Sequence, residues 1–251
     1  MKGAAGTARL PPMTIFATAL ERGARRTRRA AARLTRPDGH GRGALVAFGA
    51  LAAADLLATA RRPRGAARAG KPLLMPALAA HALRRRETAE APAPKTLLAG
   101  LACAAAGDTA LLADEHEPAF LLGMAAFLGT QVSYTAGYVR QGALKGLRRR
   151  PWIAAAGLAG WAAANAAIAP GLEKRLRAPV AGYSLALTAM AVTALGSGAR
   201  AGTGALAFLG SDLLIGLQAA GHVFPGQEVA IMAGYLFGQY LITTGWPVTP
   251  V

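Results

Sequence analysis

After residue 42, long apolar runs alternate with short basic clusters, and this alternation is the dominant pattern of the chain. A bilayer core about 30 Å thick is crossed by roughly 20 apolar residues in a helix. Residues 118–139, 151–172, 178–199 and 229–251 each run 22 or 23 residues without Asp, Glu, Lys or Arg. Residues 201–224 carry one charge, Asp212, and the 18-residue runs 43–60 and 96–113 carry Asp55 and Asp108. The shortest run, 72–83, has 12 residues ahead of Arg84-Arg85-Arg86. It reaches spanning length by starting near Ala66 and placing Arg68 and Lys71 among the headgroups. The pattern predicts an all-α fold: a polytopic membrane helix bundle of about eight transmembrane helices.

Composition supports this reading. Of 251 residues, 53% are hydrophobic and 16% charged, which argues against a soluble domain. Cys103 is the single cysteine, so a disulfide framework and a cysteine-based zinc site are excluded. Four scattered histidines give no HExxH-type spacing. The net charge of +16 raises the question of nucleic acid. The basic clusters hold few aromatics, however, and they fall between apolar spans, so they read as a topology signal and not as a nucleic-acid surface. Lys and Arg number 10 up to Arg42, then 5, 4, 0, 5, 3, 1 and 0 in successive loops. With both termini cytoplasmic, 20 of them lie inside and 8 outside, although the first loop runs against the trend. The acidic stretch 114–117 then falls outside.

Residues 1–42 form a separate basic cytoplasmic segment ahead of the transmembrane domain, 43–251. Leu10 to Leu20 is too short and too broken by Pro11 and Pro12 for a secretory signal. As a helix, the segment would place Arg22, Arg25, Arg26, Arg29, Arg33 and Arg36 on one face, suited to anionic lipid. As a disordered arm, it would act only as a positive-inside signal. Met13 is an alternative initiator. The alanine- and arginine-rich composition points to a bacterial plasma membrane.

Carboxylates inside the spans carry the chemistry. An ionised carboxylate at mid-membrane costs about 3 kcal/mol by insertion scales, so Asp108 and Asp212 need a reason to be there. Each follows small residues, Gly107 and Gly210-Ser211, which allow a neighbouring backbone to approach. On the predicted topology both their helices run outward, and the two side chains can face one cavity in the outer half. Hydrogen bonding to a neighbouring helix is the simpler alternative for each. Asp55 lies near Arg61 and Arg62 and reads as a structural ion pair. Gln131 and Tyr134 share a helix face at i, i+3, and Tyr235 stands one turn before Gln239. Tyr138 and Tyr240 take no role in this reading. His81 and His222 fall near span ends, and Trp152, Trp161 and Trp246 read as interface anchors or packing.

Gly107-Asp108-Thr109-Ala110-Leu111 is echoed by Ser211-Asp212-Leu213-Leu214-Ile215, each followed one helix later by a Gln. Two parallel four-helix halves meeting at a midplane site would produce this.

The same residues carry a family likeness. The blocks are Lys71-Pro72-Leu73-Leu74-Met75-Pro76, Gly107-Asp108-Thr109-Ala110-Leu111-Leu112 and Phe120-Leu121-Leu122-Gly123, then Phe127, Gln131 and Tyr134. Gly204-Ala205, Phe208, Ser211-Asp212-Leu213-Leu214-Ile215, Tyr235, Gln239, Leu241 and Ile242 follow. In this order, across about residues 44–246, they resemble the YhhN family of eight-helix membrane proteins, whose animal members are lysoplasmalogenases. Gln131 stands where many members of that family have a histidine.

The resemblance implies hydrolysis of the vinyl-ether bond of a lysophospholipid, releasing a fatty aldehyde and a glycerophospho-alcohol. Vinyl ethers resist base and yield to acid, so the reaction needs one protonated carboxyl group and a second carboxylate to accept a proton from water. Burial and a like-charged neighbour favour the shared proton such a pair requires. Asp108 and Asp212 are the catalytic candidates, with Gln131, Tyr134, Tyr235 and Gln239 to orient water and carboxylates. Lys71 is a candidate for the lipid phosphate, or else an ordinary snorkelling lysine. The chemistry requires no metal or other cofactor. A non-catalytic lipid carrier or a membrane scaffold are the alternatives; the scaffold leaves both aspartates unexplained.

Overall fold

A computed structural model describes residues 42–61, 70–113 and 116–248. The arginine segment before Arg42, Arg62, Arg64 and Arg68 of the first loop, and Asp114 and Glu115 lie outside the described residues. Each predicted apolar run contains a helix, and there is no strand among the described residues. The helices are α1 (Arg42–Arg61), α2 (Lys71–Thr88), α3 (Lys95–Ala110), α4 (Glu117–Arg140) and the short α5 (Ala143–Arg149). They continue with α6 (Trp152–Ile168), α7 (Lys174–Ser197), α8 (Ala199–Ala219) and α9 (Gln227–Gly245). Five segments are long and apolar enough to cross a membrane by length and composition: Arg42–Arg61, Pro118–Arg140, Trp152–Gly171, Lys174–Ser197 and Ala199–Ala219. Many of their large side chains, including Leu122, Val132 and Leu158, point outward. An outward apolar surface is what lipid contact requires.

Helix ends differ from the sequence expectation where local chemistry intervenes. α2 runs on through Arg84-Arg85-Arg86 to Thr88 and so buries His81 within the helix, whereas the apolar run alone would have left it near an end. These arginines have a structural task. Arg85 donates from Nη1 to the carbonyls of Thr244 (2.9 Å) and Trp246 (3.3 Å), and Arg86 donates to the carbonyl of Pro247. They place positive charge on carbonyls at and just beyond the C-terminus of α9. α9 itself stops at Gly245, just ahead of Pro247, so the last apolar run is shorter as a helix than as a sequence. α5, absent from the sequence reading, starts after Gly142 at φ 87° and packs on the end of α7. A Cβ on its Gly146 would collide with the Gly196 carbonyl oxygen.

Neighbours in sequence pack in order, α1 to α4 and then α6 to α9, and the two runs of four meet where α4 lies against α7 and α9 against α1. Two interfaces place the site. α3 and α4 are antiparallel, with glycine facing aromatic: a Cβ on Gly100 would strike the Tyr134 ring, and one on Gly107 the Phe127 ring. Thr130 ties the pair by donating to the Gly100 carbonyl (3.1 Å). α8 and α9 approach backbone to backbone, because a Cβ on Gly204 would lie 2.8 Å from the Ile242 nitrogen and one on Gly238 2.8 Å from the Gly204 oxygen. Small residues at this spacing permit the dispersion contact that drives helix association where no hydrophobic effect operates.

Candidate functional site

A set of polar side chains is buried within the otherwise apolar core of the bundle. Asp108, Gln131, Gln239 and Thr243 are all buried, and Tyr134, Tyr138 and Tyr235 are buried with them. Asp108 sits in the last turn of α3, and Tyr235 of α9 donates its hydroxyl to Asp108 Oδ2 at 2.8 Å. One turn along α9, Gln239 accepts at Oε1 from the Tyr134 hydroxyl, also at 2.8 Å. The Gln239 amide also lies close to the Tyr235 hydroxyl, short of hydrogen-bond geometry. Asp108, Tyr235, Gln239 and Tyr134 therefore form one buried group contributed by α3, α9 and α4. Lys71, half-buried at the first residue of α2, and Asp55, buried in α1, are near enough for their charges to act on Asp108.

Asp212 belongs to a second group. Its side chain is half-buried on α8, where it accepts from the Tyr183 hydroxyl of α7 at 2.9 Å and from Ser211 at 3.3 Å. The Gln131 amide of α4 approaches the same Tyr183 hydroxyl without meeting hydrogen-bond geometry. No hydrogen bond joins Asp108 to Asp212 among the described residues. An aromatic cluster lies between the groups. The Tyr235 ring packs edge-on against Phe208 (5.3 Å), one turn before Asp212, and against Phe127 (5.8 Å), one turn before Gln131.

Of the residues singled out from sequence, the structure joins Asp108 to Tyr235 and Tyr134 to Gln239, and brings Lys71 to the first group. Asp212 and Gln131 meet at Tyr183 instead. Tyr183 and Ser211 were not singled out for roles in the sequence. A lone hydroxylated aromatic in a span otherwise made of aliphatic and small residues is the signal that would have found Tyr183. Asp55, expected beside Arg61 and Arg62, is buried in α1 near Asp108, and Arg62 lies outside the described residues. Tyr138 packs at a tilt against Trp246 (4.8 Å), and Tyr240 stacks over Phe48 (6.4 Å). Trp246 is buried packing, whereas Trp152 stays exposed, as an interface anchor would. Among the described residues no cluster of three or more His, Cys, Asp or Glu side chains could hold a metal ion.

Apolar helices outside and carboxylates, amides and phenols inside define an integral membrane protein with a built polar interior. The YhhN family model matches residues 66–246, and the chain belongs to that family. It is also similar to human lysoplasmalogenase TMEM86B, 31% identical over 155 residues, a stretch covering 62% of this chain and 65% of the relative. The match thus spans slightly less than two thirds of that relative's length. No solved structure matches.

Proposed function

We propose that the protein is an intramembrane hydrolase that cleaves the vinyl-ether bond of lysoplasmalogen-type lysolipids, with Asp108 and Asp212 as its acid and base. The observation that carries this reading is the pair of intramembrane carboxylates, each held by a tyrosine hydroxyl from another helix, in a chain similar to a lysoplasmalogenase. One aspartic acid gives its proton to the β-carbon of the vinyl ether, leaving an oxocarbenium ion. Water adds to that ion and loses a proton to the second carboxylate. The hemiacetal then collapses: its hydroxyl returns a proton to the first aspartate, its bond to the glycerol oxygen breaks, and that oxygen takes the proton held by the second, so that fatty aldehyde and glycerophospho-alcohol leave and both carboxyls are restored. Each group of this kind contributes about 10²–10⁴-fold through proton transfer.

The tyrosines hold the carboxylates in position, which preserves geometry through the reaction. Lys71, at the start of α2 near the Asp108 group, receives the lipid phosphate as a point charge on this reading. The aromatic cluster of Phe127, Phe208 and Tyr235 offers an apolar wall for the alkenyl chain between the two groups. Incubating the purified protein with a panel of lysolipids, with product masses read out, tests the reaction class. Aldehyde release from the alkenyl lysolipid and none from the acyl analogue is the expected result. Release of fatty acid instead, or no product from any member, contradicts it.

A further inference from the structure

α4 and α9 run parallel, as three contacts in step show. Phe127 meets Tyr235, Tyr134 meets Gln239, and Tyr138 meets Trp246. Between them, α4 presents Gln131, Tyr134, Tyr138 and Gln141 at intervals of three, four and three residues, and α9 presents Tyr235, Gln239 and Thr243 at intervals of four. Both spacings keep the side chains on one helix face. The stripe therefore starts at the Asp108 group and descends to the C-terminal ends of both helices, where Gln141 caps α4 beside Arg140.

The hydrogen bonding of this stripe is incomplete in a consistent way. Gln131 Nε2 and Oε1, Tyr138 Oη, Gln141 Oε1, Gln239 Nε2 and Thr243 Oγ1 are all buried without a hydrogen-bond partner among the described residues. Gln131, Tyr138, Gln239 and Thr243 are each at least 98% buried as residues. Unpaired groups of this kind are rare in folded interiors, and where they cluster a bound water commonly supplies the partners. The mixture suits water: amide nitrogens donate, amide oxygens accept, and hydroxyls do both. Packing alone accounts for Trp246, which lies against the Tyr134 and Tyr138 rings, but not for six polar atoms left unpaired along the two helices.

We propose that the seam between α4 and α9 is a built water-binding track, which carries water and protons between the Asp108 group and the Gln141 end of the bundle. On the hydrolase reading, which this inference extends, the track supplies the water that each turnover consumes without opening the lipid-facing side of the site. The water enters from the end where Arg140, Arg148 and Arg149 gather and passes Tyr138 and Thr243 to reach Gln239. Tyr138 and Thr243 hold water and touch no lipid.

The test uses the full-length protein in detergent and two readouts. The first is hydroxyl-radical labelling by X-ray radiolysis, which marks side chains next to bound or exposed water whatever the enzyme does. Tyr138 is expected to label at a rate near that of exposed Trp152, and Thr243→Val should lower the Tyr138 rate severalfold. Labelling of Tyr138 no faster than that of buried Phe208 overturns the track. The second readout is aldehyde release. Thr243→Val and Tyr138→Phe should each lower kcat severalfold at unchanged KM and change the solvent isotope effect. Faster melting or a lost fold is not expected, because each change removes an unpaired polar atom; if either variant is destabilised, the labelling of Tyr138 in the unaltered protein still decides the matter. If the unaltered protein labels at Tyr138 yet releases no aldehyde, the track stands and the hydrolase reading fails. If it releases aldehyde and Tyr138 does not label, the reverse holds.

Discussion

Tyr235 and Asp108 lie 127 residues apart in the chain and 2.8 Å apart in the bundle, and their hydrogen bond joins the last turn of α3 to the middle of α9. Removing that hydroxyl tests the pairing. Tyr235→Phe keeps the ring between Phe127 and Phe208 and leaves the Asp108 carboxylate without its tyrosine donor. A buried group that loses its partner costs about 1–3 kcal/mol, so the melting temperature should fall. On the proposed mechanism kcat should fall by about tenfold or more, since a mispositioned acid or base forfeits part of its contribution. Thermal melting and steady-state aldehyde release, measured on the same preparation, check both.

Tyr183→Phe probes the second group in the same way. Asp212 is half-buried and keeps Ser211 as a donor, so the stability loss should be smaller than for Tyr235→Phe. Turnover should fall comparably if Asp212 acts in the chemistry. A Tyr183→Phe variant with full activity would leave Tyr183 as helix packing only.

The α8–α9 contact sets the height of Tyr235 relative to Asp212. Gly238→Val would drive a side chain into the Gly204 oxygen and the Phe208 nitrogen, both backbone atoms that cannot swing away. Overpacking of this kind costs about 1–3 kcal/mol, occasionally more, and it should also displace Tyr235 from Asp108. Gly160→Ala is the control, since nothing lies within 4 Å of its added Cβ. It should be neutral or stabilising by about 0.5–1 kcal/mol. Melting curves of the two variants give the comparison.

The Lys and Arg distribution makes a separate prediction about orientation. Reporter fusions should place both ends of the chain in the cytoplasm and the loop at 114–117 outside. A C-terminus reporting from the outer side would overturn this topology and, with it, the placement of the carboxylates in the outer half.

The helices and the carboxylates were legible for one shared reason: burial in lipid makes each charged residue costly, so the charges that remain stand out. Asp108 and Asp212 could be singled out in this way, and so could the helix faces pairing Gln131 with Tyr134 and Tyr235 with Gln239. Neutral residues give no such signal. Tyr183 reads as ordinary span material until α7 is seen against α8, and Ser211 reads as a packing residue until its hydroxyl is seen on Asp212. Arginines normally mark a span boundary, but α2 continues past Arg84 because Arg85 and Arg86 are occupied with the carbonyls at the end of α9. α5 lay hidden in a basic cluster, where seven residues hold too little periodicity to show a helix. Which helices from distant parts of the chain meet, such as α3 with α9, has no local signature at all.

Aldehyde release by the unaltered protein, Asp108→Asn and Asp212→Asn from an alkenyl lysophospholipid tests the central claim most directly. Asparagine nearly keeps the size and hydrogen-bonding shape of aspartate, so both variants should insert normally and melt no earlier than the unaltered chain. The account predicts a fall in kcat of about 10²-fold or more for each, with the double variant little worse than either single one, because groups acting as a unit are not additive. Full activity in either asparagine variant would contradict it, and would make that carboxylate a helix-packing group.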